Sequence, residues 1–230
     1  MTLALVRDRA AWRDWLSRFS PIGPDPLDRD TWGVVQDVAL MVIGLLVAQL
    51  VVFELRNWIE PGMYVRDPAL FGVGLVSSIL FAVLLDQGAV LEEGGWRGYA
   101  TPLLQNRNVS PLKVAILIGT VWGLWHVPRD VVTGVIERLG MFEYLALFLP
   151  SFVFGTITMS VIASYFMNRL GGSVWPAIIV HGLGNDAMGF SGLVTIEQAL
   201  TPYHQITKAI PFALVALLIV AASGRRLGRP

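Results

Sequence analysis

Six apolar stretches, each close to the length of a membrane-spanning helix, dominate this chain of 230 residues. Crossing a bilayer takes roughly 20 apolar residues, and a helix satisfies its own backbone groups in lipid. The stretches cover residues 33–53, 69–85, 112–126, 142–167, 174–190 and 206–222. A further segment, 88–104, is expected at membrane depth against protein or a cavity. The sequence therefore predicts an all-α polytopic membrane bundle of about six to eight transmembrane helices.

The composition agrees with a surface that faces lipid. Charged residues make up 15% of the chain and hydrophobic residues 54%, whereas about 25% charged residues is usual in soluble domains. The formal net charge is zero, so we expect no nucleic-acid partner. The chain has no cysteine, which excludes disulfides, thiolate zinc sites and cysteine nucleophiles.

Arginine and lysine placement predicts the orientation. Arginines are concentrated in the N-terminal arm and in the C-terminal tail, and basic residues favour the cytoplasmic side of a membrane. We therefore expect a multi-pass protein of the plasma (inner) membrane with both termini in the cytoplasm. The predicted organisation is one membrane domain, 1–230, with an arm over 1–30 and a transmembrane catalytic bundle over 33–222.

The N-terminal arm carries an aromatic stripe at helical spacing. Its members are Trp12, Trp15, Leu16 and Phe19. This pattern predicts an amphipathic helix on the cytoplasmic leaflet. The alternative is a helix that packs on loops of the bundle itself. Three prolines between residues 21 and 26 end the helix and predict a stiff linker.

Two adjacent glutamates, Glu92 and Glu93, are the first candidate functional residues. Carboxylates at membrane depth are costly and usually functional. On a helix, Glu93 and Arg97 are four residues apart and can pair, whereas Glu92 is rotated by about 100° and can point into a cavity. A carboxylate placed there suits a general base acting on water. The alternative is an ordinary ion-pair cluster at a helix end.

Two histidines on other apolar segments could complete a site. His126 follows Trp122 by four residues, and His181 precedes Asn185 by four. An imidazole and a carboxamide side by side can donate hydrogen bonds to an oxyanion. Each histidine alone could instead be an ordinary core residue. His204 is expected to lie outside the core and to have no role.

Other hydrolytic chemistries are less well supported. Glu92, His126 and His181 could together hold Zn²⁺, but the H-E-x-x-H motif of soluble metalloproteases is absent, so three separate helices would have to supply the ligands. The G-x-S-x-G motif of serine hydrolases is also absent. Asp86 and Asp186 lack the flanking patterns expected of an intramembrane aspartate pair.

Three short motifs, taken in order, carry a family resemblance. They are E-E-x-x-W-R-G at 92–98 followed by PLLQ, W-x-x-x-H at 122–126, and H-x-x-x-N at 181–185. Their order and spacing resemble the CPBP family, the CAAX-protease and bacteriocin-processing membrane peptidases that are also called Abi.

The resemblance implies an intramembrane endopeptidase with a conical cavity open to the cytoplasm. It implies that Glu92 activates water with help from His126, and that His181 and Asn185 form the oxyanion hole. The supporting residues are Glu93, Arg97 and Trp122. We expect no cofactor, with Zn²⁺ as the alternative.

The expected partners are membrane lipids and a peptide or protein substrate, which could be lipidated. Some family members trim prenylated C-terminal tails, but no residue of this sequence points to a prenyl group.

Two other functions use the same residues. A non-catalytic membrane protein, such as an immunity factor or scaffold, could bind a peptide or lipid in the cavity. A small transporter could use the carboxylates as a proton relay. Transport is disfavoured because the sequence shows no repeated halves with broken helices.

Overall fold

The computed structural model describes residues 8–25, 27, 30–65, 76, 79–80, 84, 86–185, 192 and 195–229. Regular structure in this part of the chain is helical. The helices are α1 Arg9–Ser17, α2 Thr31–Ile59, α3 Gln87–Gly95, α4 Pro111–Trp125, α5 Val127–Val132, α6 Val135–Leu139, α7 Met141–Arg169, α8 Trp175–Asn185, α9 Ile196–Ala199 and α10 Pro202–Ser223. After α3 the chain continues as a π-helical turn, Trp96–Ala100, and a short helix, Thr101–Gln105.

Three helices of the described residues are long and apolar enough to cross a membrane. They are α2, α7 and α10, the last counted to Arg226. They confirm the predicted spans 33–53, 142–167 and 206–222, and the prediction of an all-α membrane bundle. Large apolar side chains on these helices, such as Leu40 and Leu218, are more than 60% exposed, as expected of a surface that lipid covers.

The remaining predicted spans have different outcomes. The stretch 112–126 is confirmed as helix α4, and 174–185 is helical as α8 from Trp175. Residues 186–190 lie outside the described part of the chain, as does nearly all of 69–85.

Helix α7 is the centre of the bundle and packs against α4, α8 and α10. Its contact with α4 is close because Gly119 presents no side chain there. A Cβ at Gly119 would lie 2.6 Å from the Ile157 Cα. Two α7 hydroxyls cross the same contact: Thr156 donates to the Gly119 carbonyl at 2.9 Å, and Ser160 to that of Ala115 at 2.6 Å. Small residues and hydroxyls of this kind are typical of contacts between membrane helices.

The N-terminal arm packs on the bundle, as in the alternative interpretation of its stripe. The Trp15 indole donates to the Gly94 carbonyl at 2.8 Å, and the Trp175 indole donates to the Phe19 carbonyl at 2.7 Å. Trp12 and Leu16 remain more than 40% exposed. The aromatic stripe is therefore divided between protein contact and the outer surface.

The helix ends before the three prolines, and the stiff linker predicted there is also bound to the bundle. The amide of Gly23 donates to the Leu170 carbonyl, and that of Asp25 to the Gly171 carbonyl, both at 2.9 Å. These bonds hold residues 20–25 against the turn between α7 and α8.

The prediction that His204 lies outside the core is wrong. Helix α10 begins at Pro202, four residues before the predicted span, and His204 is buried in its first turn. Its carbonyl accepts a hydrogen bond from the buried Arg56 of α2 at 3.2 Å. The helix start was missed because the turn is polar in sequence, and its burial depends on Arg56 of α2, which binds the His204 carbonyl and the Thr207 hydroxyl.

Replacing Gly119 with alanine tests the packing of α4 on α7. We expect Gly119→Ala to lower the free energy of unfolding by about 1–3 kcal/mol, because the added Cβ overlaps backbone atoms. Gly44→Ala on α2 is the matched control, since a Cβ there meets no atom within 4 Å. Thermal unfolding of the purified proteins in detergent measures both changes. Equal midpoints for Gly119→Ala and wild type would contradict the close contact.

Candidate active site

The segment that carries the glutamate pair starts at a capped helix end. The Asp86 side chain accepts a hydrogen bond from the Ala89 amide at 3.0 Å and so caps α3. At the other end of α3, a Cβ at Gly94 would lie 3.2 Å from Phe19 and 3.5 Å from Trp15. Gly94 therefore leaves space for the N-terminal arm, which packs on α3 at the residue that follows the two glutamates.

Glu93, Arg97 and His181 form a buried polar group between α3 and α8. One Glu93 oxygen, Oε1, accepts from Arg97 Nη1 at 3.0 Å and lies 2.9 Å from His181 Nδ1. Glu93 and Arg97 are each 1% exposed. The pairing predicted from their four-residue spacing is observed, and His181 is a second partner that the spacing did not indicate.

Trp122 of α4 contacts residues from all three motifs. Its indole N–H donates to Glu92 Oε2 at 2.7 Å. Its ring centre is 4.8 Å from that of His181 and 6.1 Å from that of His126. The Arg97 guanidinium lies 5.0 Å from the ring centre, a distance at which a cation is attracted to an indole. Trp122 thus joins the glutamate segment to both histidines.

His126 lies at the junction of α4 and α5, where Pro128 occupies the first turn of the next helix. Its Nδ1 is 2.8 Å from the Trp122 carbonyl. A carbonyl only accepts hydrogen bonds, so this contact assigns the proton to Nδ1 and leaves Nε2 as an acceptor in the neutral ring. A neutral His126 can thus accept a hydrogen bond from water at Nε2.

Asn185 ends the described part of α8, one turn after His181. Its amide nitrogen donates to Asp86 Oδ2 at 2.9 Å. The predicted pair of His181 and Asn185 is therefore held from the glutamate segment at two points, by Glu93 and by Asp86.

The candidate residues border two hollows rather than one. His126, His181 and Asn185 line a cavity of about 80 Å³ together with Trp122. Glu92 lines a neighbouring hollow of about 460 Å³, mostly walled by aromatic and small residues. Glu92 therefore borders a hollow, but a different one from the cavity that the histidines line. Because the Trp122 N–H binds Glu92 while its ring packs on His181, the indole stands between them.

Some residues that line the smaller cavity were not predicted from the sequence. They are Arg129 of α5 and Gln205 and Lys208 of α10. Arg129 is paired with the buried Asp130 at 2.7 Å. Polar residues inside an apolar span are a recognised signal of function, and Lys208, within the predicted span 206–222, could have been found from it.

The residues proposed as an alternative Zn²⁺ set are not arranged as metal ligands. Among the described residues, no group of three His, Asp or Glu side chains is placed to hold a metal ion. The Trp122 indole, which binds Glu92 and packs on His181, stands between these two side chains.

Comparison with known proteins gives consistent matches. The family model for type II CAAX prenyl endopeptidase Rce1-like proteins matches residues 68–186, just over half of the chain. The chain is 32% identical over 143 residues to CAAX prenyl protease 2 of Methanococcus maripaludis. That alignment covers 62% of this chain and 48% of the relative, so the chain spans about half the length of the curated relative it matches. All the candidate residues lie within the matched region.

The buried Glu93–Arg97 pair predicts a specific pattern of stabilities. Arg97→Met should lower the free energy of unfolding by about 3–5 kcal/mol, because it leaves a buried carboxylate without its charge partner. Adding Glu93→Gln should recover part of this loss, since the unpaired charge is then removed. Glu137→Gln, which changes an exposed carboxylate, is the control and should have no effect.

Denaturant unfolding in detergent micelles would measure the three variants and wild type. A double variant that is less stable than Arg97→Met alone would contradict the charge pairing as the cause.

Proposed function

Because the chain belongs to the Rce1-like family of type II CAAX prenyl endopeptidases, we propose that it is an intramembrane endopeptidase. Its substrates on this proposal are membrane-associated proteins or peptides. The main structural support is Trp122, which contacts Glu92 by a hydrogen bond and both His126 and His181 through its ring. Residues from three motifs, up to 89 positions apart in sequence, therefore meet around one side chain.

Glu92 is proposed to generate the nucleophile. One of its oxygens is held by the Trp122 N–H, and the other can accept a proton from water. His126, whose Nε2 is an acceptor in the neutral ring, assists from the other side of the indole. The hydroxide adds to the scissile carbonyl carbon, the C–N bond then breaks, and the proton taken from water passes to the leaving amine.

His181 and Asn185 are proposed to stabilise the tetrahedral oxyanion. Asn185 can do so with the second hydrogen of its amide nitrogen, because Asp86 takes only one. His181 donates from Nε2 only when the ring carries both protons, since Nδ1 faces Glu93. The contact with Glu93 fixes how the His181 ring is turned, and the ring lines the cavity that Asn185 also lines.

The two hollows suggest how a substrate would lie. The scissile carbonyl would have to sit at the edge of Trp122, where both the Glu92 side and the His181 side are reachable. The hollow beside Glu92 is lined by Leu91, Trp96, Tyr99 and Trp125, among others. These walls suit an apolar part of the substrate. We propose a mechanism without metal, in which water activated by Glu92 is the nucleophile.

Replacing Glu92 tests the proposed nucleophile. We expect Glu92→Gln to lower the cleavage rate by more than about 1000-fold, because the nucleophile is no longer generated. This loss is larger than the roughly 100- to 1000-fold loss that removal of one oxyanion donor causes. The glutamine oxygen can still accept from Trp122, so the fold should be kept. Peptide cleavage by purified protein in detergent measures the rate, with prenylated and unprenylated peptides that end in a CAAX-type sequence.

Glu137→Gln is the matched control and should cleave at the wild-type rate. A folded Glu92→Gln protein with the wild-type rate would refute the proposed role of Glu92. Chelator is expected to leave the wild-type rate unchanged, whereas loss of cleavage that added Zn²⁺ restores would favour the zinc alternative.

The proposed location is the plasma (inner) membrane with both termini in the cytoplasm. The chain has no cysteine. A single introduced cysteine is therefore the one thiol of the protein, and its labelling shows on which side of the membrane it lies. We expect a membrane-impermeant maleimide to label Glu197→Cys in intact cells, and to label Arg13→Cys only after lysis. Both positions are exposed. Labelling of Arg13→Cys in intact cells would reverse the proposed orientation.

A further inference from the structure

The two oxygens of Asp86 bind different parts of the molecule. Oδ1 accepts from the Ala89 amide and caps α3, while Oδ2 accepts from the Asn185 side chain at 2.9 Å. One carboxylate thus joins the start of the glutamate helix to the end of α8. None of the sequence motifs includes Asp86, which lies six residues before the glutamate pair.

The chemistry of this contact fixes how the Asn185 amide is turned. A carboxylate only accepts hydrogen bonds, so Asn185 must present its nitrogen to Asp86 and not its oxygen. Nδ2 keeps a second hydrogen, and Asn185 lines the cavity that His181 also lines. Without Asp86 the amide could turn over and present its oxygen, which would repel an oxyanion rather than stabilise it.

The Asp86–Asn185 contact has a counterpart one helical turn away. His181 Nδ1 faces the Glu93 carboxylate at 2.9 Å. Both proposed oxyanion donors, one turn apart on α8, are therefore oriented by carboxylates from the short segment 86–93. A group that must donate a hydrogen bond is well placed when its other donor is held by a fixed acceptor.

We propose that Asp86 is a positioning residue that acts through Asn185 and holds its amide in the orientation that donates to the oxyanion. This inference rests on the proposed peptidase function. It assigns to Asp86 a role in the rate of the chemical step, in addition to its role as a helix cap.

Asp86→Ser separates these two roles, because serine is also a good N-cap residue but is too short to keep the carboxylate contact with Asn185. We expect kcat for peptide cleavage to fall about 10- to 100-fold, as for other residues that orient a functional group, with little change in KM. Asp30→Ser is the matched control. Asp30 caps α2 through the Gly33 amide at 2.8 Å, and its replacement should leave kcat unchanged.

The decisive measurement is kcat for Asp86→Ser in an Asn185→Ala background. If Asp86 acts through Asn185, Asp86→Ser should cause no further loss of kcat there. An equal further loss in that background, or an unchanged kcat for Asp86→Ser alone, would overturn the inference. A folded wild-type protein that cleaves no peptide would instead overturn the proposed peptidase function, so the two failures are distinguishable.

Discussion

The buried carboxylate of Glu93 is the interaction on which the candidate site depends. An ionised group in a low-dielectric interior costs several kcal/mol unless it is paired, and Glu93 is paired with Arg97 and contacts His181. Arg97 compensates the charge from the turn that follows α3, and the contact of His181 with the same carboxylate joins α3 to α8. Arg97 in turn lies over the Trp122 ring, which brings α4 into the same arrangement. The electrostatic requirement therefore also sets the geometry of the site.

The rest of the bundle supports this centre from two sides. Gly119 allows α4 to pack closely on α7, and this contact fixes the position of α4 and of Trp122 on it. On the opposite side, the Trp15 indole binds the Gly94 carbonyl, immediately after the glutamates. The N-terminal arm therefore holds the backbone of the segment that carries the two glutamates, whatever contact Trp12 and Leu16 make with lipid. A tilt of α3 would have to break contacts on both sides.

Features that follow from local periodicity could be predicted from the sequence, and those that follow from contacts between helices could not. The Glu93–Arg97 pair was predictable because a four-residue spacing places both side chains on one face of a helix. The burial of His204 was not, since it follows from a partner on α2. The same holds for Glu92, whose direction is set by the Trp122 indole on another helix. The Asp86–Asn185 contact joins residues 99 positions apart, and no local pattern signals it.

Three carboxylates within eight residues have different partners, and this difference explains why we assign them different roles. Glu93 is buried and its charge is balanced by Arg97, so it is suited to holding a fixed charge. Each oxygen of Asp86 accepts one hydrogen bond, from the Ala89 amide or from the Asn185 side chain, so Asp86 is suited to orienting these two groups. Glu92 is half-buried, and the indole that binds it carries no compensating charge. Gaining a proton therefore breaks no ion pair at Glu92, which makes it the best suited of the three to take a proton from water.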